Sequence, residues 1–148
     1  MVCALRVRMR MARASPSLNV LIANIPEGDA RLRECLSSQR LRFVHTMREA
    51  LLAMQDEEFD LVVVGLHFDE SRMFELLLHI RSLDDAHGMP VVCVHTVERN
   101  MPPGIRTNIE VAAMALGAMA FLDLRGEGEA FAQQREILRQ IAANLARR

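Results

Sequence analysis

Two histidines near the ends of apolar segments are the residues in this sequence best placed to do chemistry. His67 follows segment 61–66, and His95 ends segment 91–95, with carboxylates such as Glu27 and Asp69 expected nearby. Imidazoles beside carboxylates can bind transition metals, and histidines titrate at roughly pH 6 to 7. No H-x-H or H-x-x-x-H spacing accompanies them, so a neutral His95 that fills a pocket is favoured over a metal site.

Other catalytic patterns are weaker still. Gly126 and Gly128 follow a predicted strand, as in half of a dinucleotide-binding fingerprint. Phe131 stands where a third glycine is needed, and Glu127 and Glu129 would repel a pyrophosphate, so a turn is the better interpretation. No serine lies in a G-x-S-x-G elbow. The sequence therefore predicts a protein that is not an enzyme and needs no cofactor.

Composition excludes several classes of protein. The 148 residues are 51% hydrophobic and 25% charged with a net charge of −1, which predicts one soluble domain without a field that attracts nucleic acid. The cysteines, Cys3, Cys35 and Cys93, are too few and too widely spaced for a disulfide framework or a zinc ribbon, so a reducing cytoplasm is expected. The apolar runs are too short to span a membrane.

Residues 1–17 are predicted to form a basic arm separate from a folded domain over residues 18–148. Arginines at positions 6, 8 and 10 alternate with apolar residues before the breaker Ser15-Pro16-Ser17. A flexible tail is favoured because chain termini are poorly ordered unless tied down. An added edge strand and an arm that grips an acidic partner remain open.

From residue 18 onward, apolar segments alternate with helical patterns. Five segments predict strands, at 19–23, 41–44, 61–66, 91–95 and 119–123. The third is continuously apolar, as expected of a central parallel strand buried on both faces. The alternation predicts an α/β fold, a (βα)5 doubly wound five-stranded parallel sheet.

Capping boxes mark two predicted helix starts. Thr46 with Glu49 opens the second helix, and Thr107 with Glu110 opens the fourth, which should end at Gly117. The connection before the fourth helix, which includes residues 100–104, is then unusually long. A functional loop and a tolerated insertion are equally good interpretations.

Three phrases in these segments carry a resemblance to a known family. They are Phe-Asp-Leu-Val-Val-Val at 59–64, Pro-Val-Val-Cys-Val at 90–94 and Gly-Ala-Met-Ala-Phe-Leu at 117–122. Over residues 18–145 the chain resembles the receiver domain of two-component response regulators. The resemblance implies the CheY-like form of the flavodoxin-like architecture. In that family a carboxylate ending the third strand accepts a phosphoryl group, and acids after the first strand help to hold Mg²⁺.

The chain departs from the family at each residue of this chemistry. Gly65 aligns with the phosphoacceptor and has no nucleophile. Asn24 and Ile25 align with the acidic pair, which removes the charge that Mg²⁺ needs. The family's threonine or serine aligns with His95, and its lysine with Leu124; the sequence contains no lysine at all. The resemblance thus implies a degenerate phosphorylation pocket formed by Asn24, Ile25, Gly65, His67, His95, Thr96 and Leu124.

The sequence therefore predicts a stand-alone pseudo-receiver, a phosphorylation-independent adaptor or regulator that acts through protein contacts. Its partner would be a histidine kinase, another regulator or an output protein. A homodimer through the fourth helix, fifth strand and fifth helix is also open. The predicted interaction face comprises Ile109, Ala113, Phe121, Arg125, Arg135 and Arg139. The alternative is a small-ligand or metal sensor that uses the vacated pocket.

Overall fold

Five parallel strands form one sheet in the computed structural model, which describes residues 17–83, 88–99 and 101–147. The sheet order is β2-β1-β3-β4-β5, so the predicted parallel sheet with its central third strand is confirmed. The strands are β1 (Asn19–Ala23), β2 (Arg40–Val44), β3 (Leu61–Gly65), β4 (Val91–His95) and β5 (Ala120–Asp123).

Within the described residues, five helices of seven residues or more cover the two faces of the sheet. They are α1 (Asp29–Cys35), which follows a 3-10 turn at Pro26–Gly28, then α2 (Met47–Asp56), α3 (Met73–Ser82), α4 (Pro103–Ala115) and α5 (Glu129–Ala146). Among the described residues, none of these helices has the length and apolar character needed to cross a membrane.

The alternation of side chains along each strand divides the core into two layers. Val62 and Val64 of β3 pack on one face with α2, α3 and α4, whereas Leu61 and Val63 pack on the other face with α1 and α5. Every residue of β3 is buried, as its continuous apolar run predicts. At the carboxyl edge of the sheet, successive residues of each strand therefore point alternately into the α2, α3 and α4 layer and into the α1 and α5 layer.

The two predicted helix starts have different outcomes. Thr46 is the N-cap of α2 and its hydroxyl accepts a hydrogen bond from the Glu49 amide at 3.1 Å, which confirms the first box. The second predicted helix start, at Thr107, was wrong. α4 begins at Pro103, one turn earlier, and Thr107 lies inside the helix, where its hydroxyl donates to the Pro103 carbonyl.

This earlier start shortens the predicted long connection. Pro102 and Pro103 have the fixed φ that suits a first helical turn, so the residues expected in a loop begin α4 instead. The helix ends at Ala115, and Gly117 adopts a φ of +99° just beyond it, as predicted.

The first described residues are held to the connection before β2. The Ser17 hydroxyl donates to the Ser38 carbonyl at 3.2 Å, and the Leu18 amide donates to the Gln39 side chain at 2.7 Å. The predicted arm lies almost entirely outside the described residues, as does Asn100.

Candidate functional site

The carboxyl ends of β1, β3 and β4 bring three of the predicted pocket residues together. Asn24 follows β1, Gly65 ends β3, and Thr96 follows β4. Asn24 is buried, and its amide nitrogen donates to the Thr96 hydroxyl at 2.9 Å. This hydrogen bond joins the loops after two strands that are not neighbours in the sheet.

The Asn24 side chain occupies the space above Gly65. A Cβ atom placed on Gly65 would overlap the Asn24 Oδ1 atom and lie only 3.2 Å from the Asn24 Cβ. Gly28 faces the same group, since a Cβ there would overlap the Thr96 hydroxyl and the Asn24 amide nitrogen. Gly65 and Gly28 thus leave space for the Asn24 amide. While Asn24 stays in place, no side chain fits at position 65, which aligns with the phosphoacceptor.

His95 lies on the other face of the sheet, so the expectation that it fills the vacated pocket was wrong. β4 alternates, and His95 shares its face with Val91 and Cys93, whose layer contains α2, α3 and α4. Its ring is fully buried and packs against His67 with 5.3 Å between the ring centroids. Asn24, and not His95, fills the position above Gly65.

A small cavity lies beside His67, on the side of the His67–His95 pair that His67 forms. His67, Met73 and Met101 are among the residues that line this space of about 120 Å³. The pKa of His95 is lowered to about 4, first by burial and then by the charges of Arg125 and His67. Burial also lowers the pKa of His67. Burial thus favours the neutral form of both imidazoles.

The end of β5 carries a network of charged residues in place of a single cation. Leu124, aligned with the family's lysine, is buried in the α1 and α5 layer. Arg125 donates from Nε and Nη2 to both carboxylate oxygens of Asp123, each at 2.9 Å, and Arg106 reaches Asp123 at 3.0 Å. The Arg125 hydrogen bonds lower the pKa of Asp123 to about 2. Among the described residues, the cations near the lysine position are thus engaged with Asp123 or, for Arg31, with the Leu124 carbonyl.

Carboxylates near this edge are also engaged with other groups. Asp29 lies 2.6 Å from the His45 ring, and Asp69 accepts from the Met47 amide at 2.8 Å and lies 3.5 Å from Arg72. Within the described ranges, no three residues of the types His, Cys, Asp and Glu cluster as metal ligands would.

The loop after β3 has an uncommon backbone conformation that the sequence did not predict. Three consecutive residues that are not glycine, Asp69, Glu70 and Ser71, have φ values of 42°, 57° and 65°. This left-handed region costs roughly 1–2 kcal/mol per residue for side chains with a Cβ. The Asp69 bond to the first amide of α2 helps to hold the turn in place.

The predicted interaction face does not form one surface. Ala113 is fully buried, and Ile109 and Phe121 are half-buried against the core. Arg135 lies 3.9 Å from Glu34 of α1, which places it on the α1 side of α5. Arg139, one turn further along, lines a surface cavity of about 750 Å³ that also borders α1. Among its arginines, only Arg125 lies near β5, and it is bound to Asp123. The sequence assigned Arg135 and Arg139 to the wrong side of α5.

Sequence comparison with known proteins gives no relative. No family model matches the chain, and no curated protein does. Solved structures do match. A protein described as a response regulator from Chloroflexus aurantiacus aligns over 90% of this chain and 100% of its own, with a TM-score of 0.68 and 15% identity. The receiver domain of a sensor histidine kinase from Pseudomonas aeruginosa, with a magnesium ion in its active-site cleft, aligns over 90% and 100%, with a TM-score of 0.63 and 15% identity.

The phosphorylated cyanobacterial phytochrome response regulator RcpA also matches, over 85% of this chain and 91% of its own, with a TM-score of 0.62 and 17% identity. The chain has the fold of a response-regulator receiver domain. At this carboxyl edge, however, Asn24, Ile25 and Gly65 supply no carboxylate, so the residues do not fit the magnesium ion seen in the Pseudomonas domain.

Proposed function

We propose that this protein is a pseudo-receiver, a signalling module of the receiver type that works through protein contacts and without phosphorylation. The observation that carries the proposal is the Asn24 side chain seated over Gly65. A receiver needs a carboxylate at this position to form an acyl phosphate. Here the nucleophile is missing and the space it would need is taken.

Two further features support the loss of the phosphorylation switch. The Thr96 hydroxyl is already bonded to Asn24, so it does not follow an incoming phosphoryl group. Arg125 and Arg106 are bound to Asp123, and Arg31 to backbone carbonyls, so these cations of the described residues are already engaged at the end of β5. The contacts among Asn24, Gly65 and Thr96 therefore fill the phosphorylation position without a ligand, which suits a constitutive binding module.

The proposed mode of action is contact with a protein partner. Exposed apolar side chains lie on α4, on the residue before β5 and on α5, namely Val111, Met114, Met119 and Ile137. Apolar side chains on a surface are common, but several on adjoining elements are typical of an interaction site. A histidine kinase, another regulator, an output protein or a second copy of the chain would be the partner.

Treatment with acetyl phosphate and Mg²⁺ tests the proposal. The intact mass measured by mass spectrometry should stay unchanged under conditions that phosphorylate an active receiver run in parallel. An added phosphoryl group that is stable enough to map to one residue contradicts the proposal.

A pair of variants separates the missing nucleophile from the occupied space. Gly65→Asp alone should remain unphosphorylated, because its side chain would collide with Asn24. The double variant Gly65→Asp with Asn24→Ala supplies the carboxylate and removes the amide that collides with it, so it should be phosphorylated more than Gly65→Asp alone. If Gly65→Asp alone is phosphorylated to the same extent as an active receiver run in parallel, Asn24 does not block the site.

A further inference from the structure

The small cavity beside His67 lies on the opposite sheet face from Gly65 and has an unusual wall. Besides His67, its lining includes two thioethers, Met73 and Met101, and the left-handed residue Ser71. No carboxylate is among the described residues that line it. The wall thus offers nitrogen and sulfur atoms rather than oxygen anions.

Three imidazole nitrogens in this region have no hydrogen-bond partner among the described residues. They are Nε2 of His67 and both Nδ1 and Nε2 of His95, whose side chain is fully buried. An unsatisfied buried polar atom costs about 1–3 kcal/mol. A ligand that accepts nitrogen lone pairs would remove part of this cost.

The protonation state leaves those lone pairs available. Burial lowers the pKa of both histidines, and Arg99, Arg106 and Arg125 contribute positive charge that lowers them further. Asp123 acts in the opposite sense on His95 but is held by Arg106 and Arg125. The same positive field disfavours a divalent cation more than a monovalent one.

The separation of the rings is compatible with one shared metal ion. With a metal–nitrogen bond of about 2.0 Å, a metal lies about 3.2 Å from the centroid of each ring it binds. When one nitrogen of each ring points at the same position, the centroid separation of 5.3 Å corresponds to a nitrogen–metal–nitrogen angle of about 110°. That angle leaves room for one or two further ligands in a trigonal or tetrahedral site.

We propose that His67 and His95, together with the thioethers of Met73 and Met101, form a binding site for a soft monovalent metal ion, Cu⁺ by chemical class. Imidazole and thioether ligands select Cu⁺ over hard cations. The site is separate from the vacated phosphorylation pocket. The inference goes beyond the pseudo-receiver function, and either can fail without the other.

Anaerobic competition against a Cu⁺ chelator, with Ag⁺ as a redox-stable probe, tests the site on the full chain. We expect one ion per chain in the wild type. His67→Gln should weaken binding by roughly tenfold or more, since even outer-shell partners of a metal cost 10- to 100-fold when removed. Met101→Leu conserves volume and should weaken binding by a smaller factor.

Matched controls identify the ligands. His45→Gln removes a histidine that pairs with Asp29, and Met54→Leu removes a methionine elsewhere in the same core layer, so both should bind as the wild type does. Cys3→Ser removes the thiol that lies outside the described residues and should also leave binding unchanged. Circular dichroism without metal checks that each variant is folded. If His67→Gln does not fold, Met101→Leu decides.

Three results would overturn the inference. The first is the absence of Cu⁺ and Ag⁺ binding in the wild type. The second is a wild-type affinity in folded His67→Gln or Met101→Leu, or a loss of binding in Cys3→Ser. The third is binding of Zn²⁺ in preference to Ag⁺. None of these bears on the acetyl phosphate result.

Discussion

Gly65 and Asn24 share a volume at the carboxyl edge that only one side chain can occupy. Because the Asn24 amide lies where a Cβ on residue 65 would be, the two identities depend on each other. Asn24 is buried and bonded to Thr96, so it has little freedom to move aside. This pair is the residue-scale basis of the proposed loss of phosphorylation.

Gly65→Ala should therefore destabilise the protein. Overpacking of a filled site costs about 1–3 kcal/mol in the free energy of unfolding. Asn24→Ala in the same chain should recover part of that loss, because residues in contact show coupling of about 0.5–3 kcal/mol in a double-mutant cycle. Urea denaturation measures both.

Gly104 provides the control for this substitution. It lies in the first turn of α4, and a Cβ there meets no atom within 4 Å. Gly104→Ala should be neutral or stabilise by up to roughly 1 kcal/mol. A Gly65→Ala variant as stable as Gly104→Ala, or a cycle without coupling, would contradict the shared-volume account.

Asp123 makes stability depend on pH in the acid range. Its hydrogen bonds from Arg125 lower the folded pKa to about 2, against an ordinary value of 3.8. The unfolded chain therefore takes up this proton at a higher pH than the folded chain. The stabilisation is fully present above pH 3.8 and is lost as pH falls toward 2.

Between pH 5 and pH 2.5, protonation of Asp123 should lower the free energy of unfolding by about 1.5 kcal/mol. Unfolding free energies of the wild type and Asp123→Asn should therefore converge as the solution is acidified. Asp56→Asn changes an exposed carboxylate at the end of α2 and serves as the comparison. A constant gap between wild type and Asp123→Asn across this range would argue against the Arg125 pair as the cause.

At the scale of elements, Arg31 of α1 anchors the connection from β5 to α5. Its Nη1 donates to the carbonyls of Leu124 and Gly126 at 3.1 and 2.8 Å, and its guanidinium lies 4.1 Å from the centre of the Phe131 ring. A lysine has no planar guanidinium to stack and bond in this way.

We expect Arg31→Lys to raise amide hydrogen exchange in residues 125–128. The free energy of unfolding should fall by about 1–2 kcal/mol, since hydrogen bonds to charged groups contribute about 1.5–3 kcal/mol each. Arg33→Lys is the matched control, because Arg33 stacks on Phe43 at 4.6 Å on the other side of α1. Equal exchange in the two variants would show that Arg31 does not hold the connection.

The elements themselves were largely predictable, because strand 61–65 is apolar throughout and helix α2 begins at a capping hydroxyl. The start of α4 was not predictable, because the sequence carries two competing signals for it. One is the capping pattern at Thr107, and the other is Pro103, whose fixed φ already suits a helix. Sequence spacing located Gly65 and Asn24 but could not show that one fills the space of the other. It also missed the left-handed turn at 69–71, because nothing in Asp-Glu-Ser predicts it.

At the scale of the whole molecule, the corrected position of Arg135 moves the proposed contact surface. The side of α5 that faces β5 carries Gln134, whose side chain accepts from the Asp123 amide, and Ile137, which is 43% exposed. Met119, just before β5, is 45% exposed. Apolar residues next to β5, rather than the arginines of α5, are therefore the better candidates for contacts with a second copy or another protein.

Charge substitutions distinguish this surface from the rest of the molecule. If the chain self-associates through it, Met119→Glu and Ile137→Glu should each shift the sedimentation of a concentrated sample toward the monomer, since a buried unpaired charge opposes association strongly. Leu52→Glu on α2 and Leu78→Glu on α3 replace equally exposed apolar side chains elsewhere and should leave the sedimentation unchanged. Equal effects of all four variants would indicate nonspecific association. Dissociation by the α2 or α3 variants alone would place the contact on α2 and α3 and away from α5.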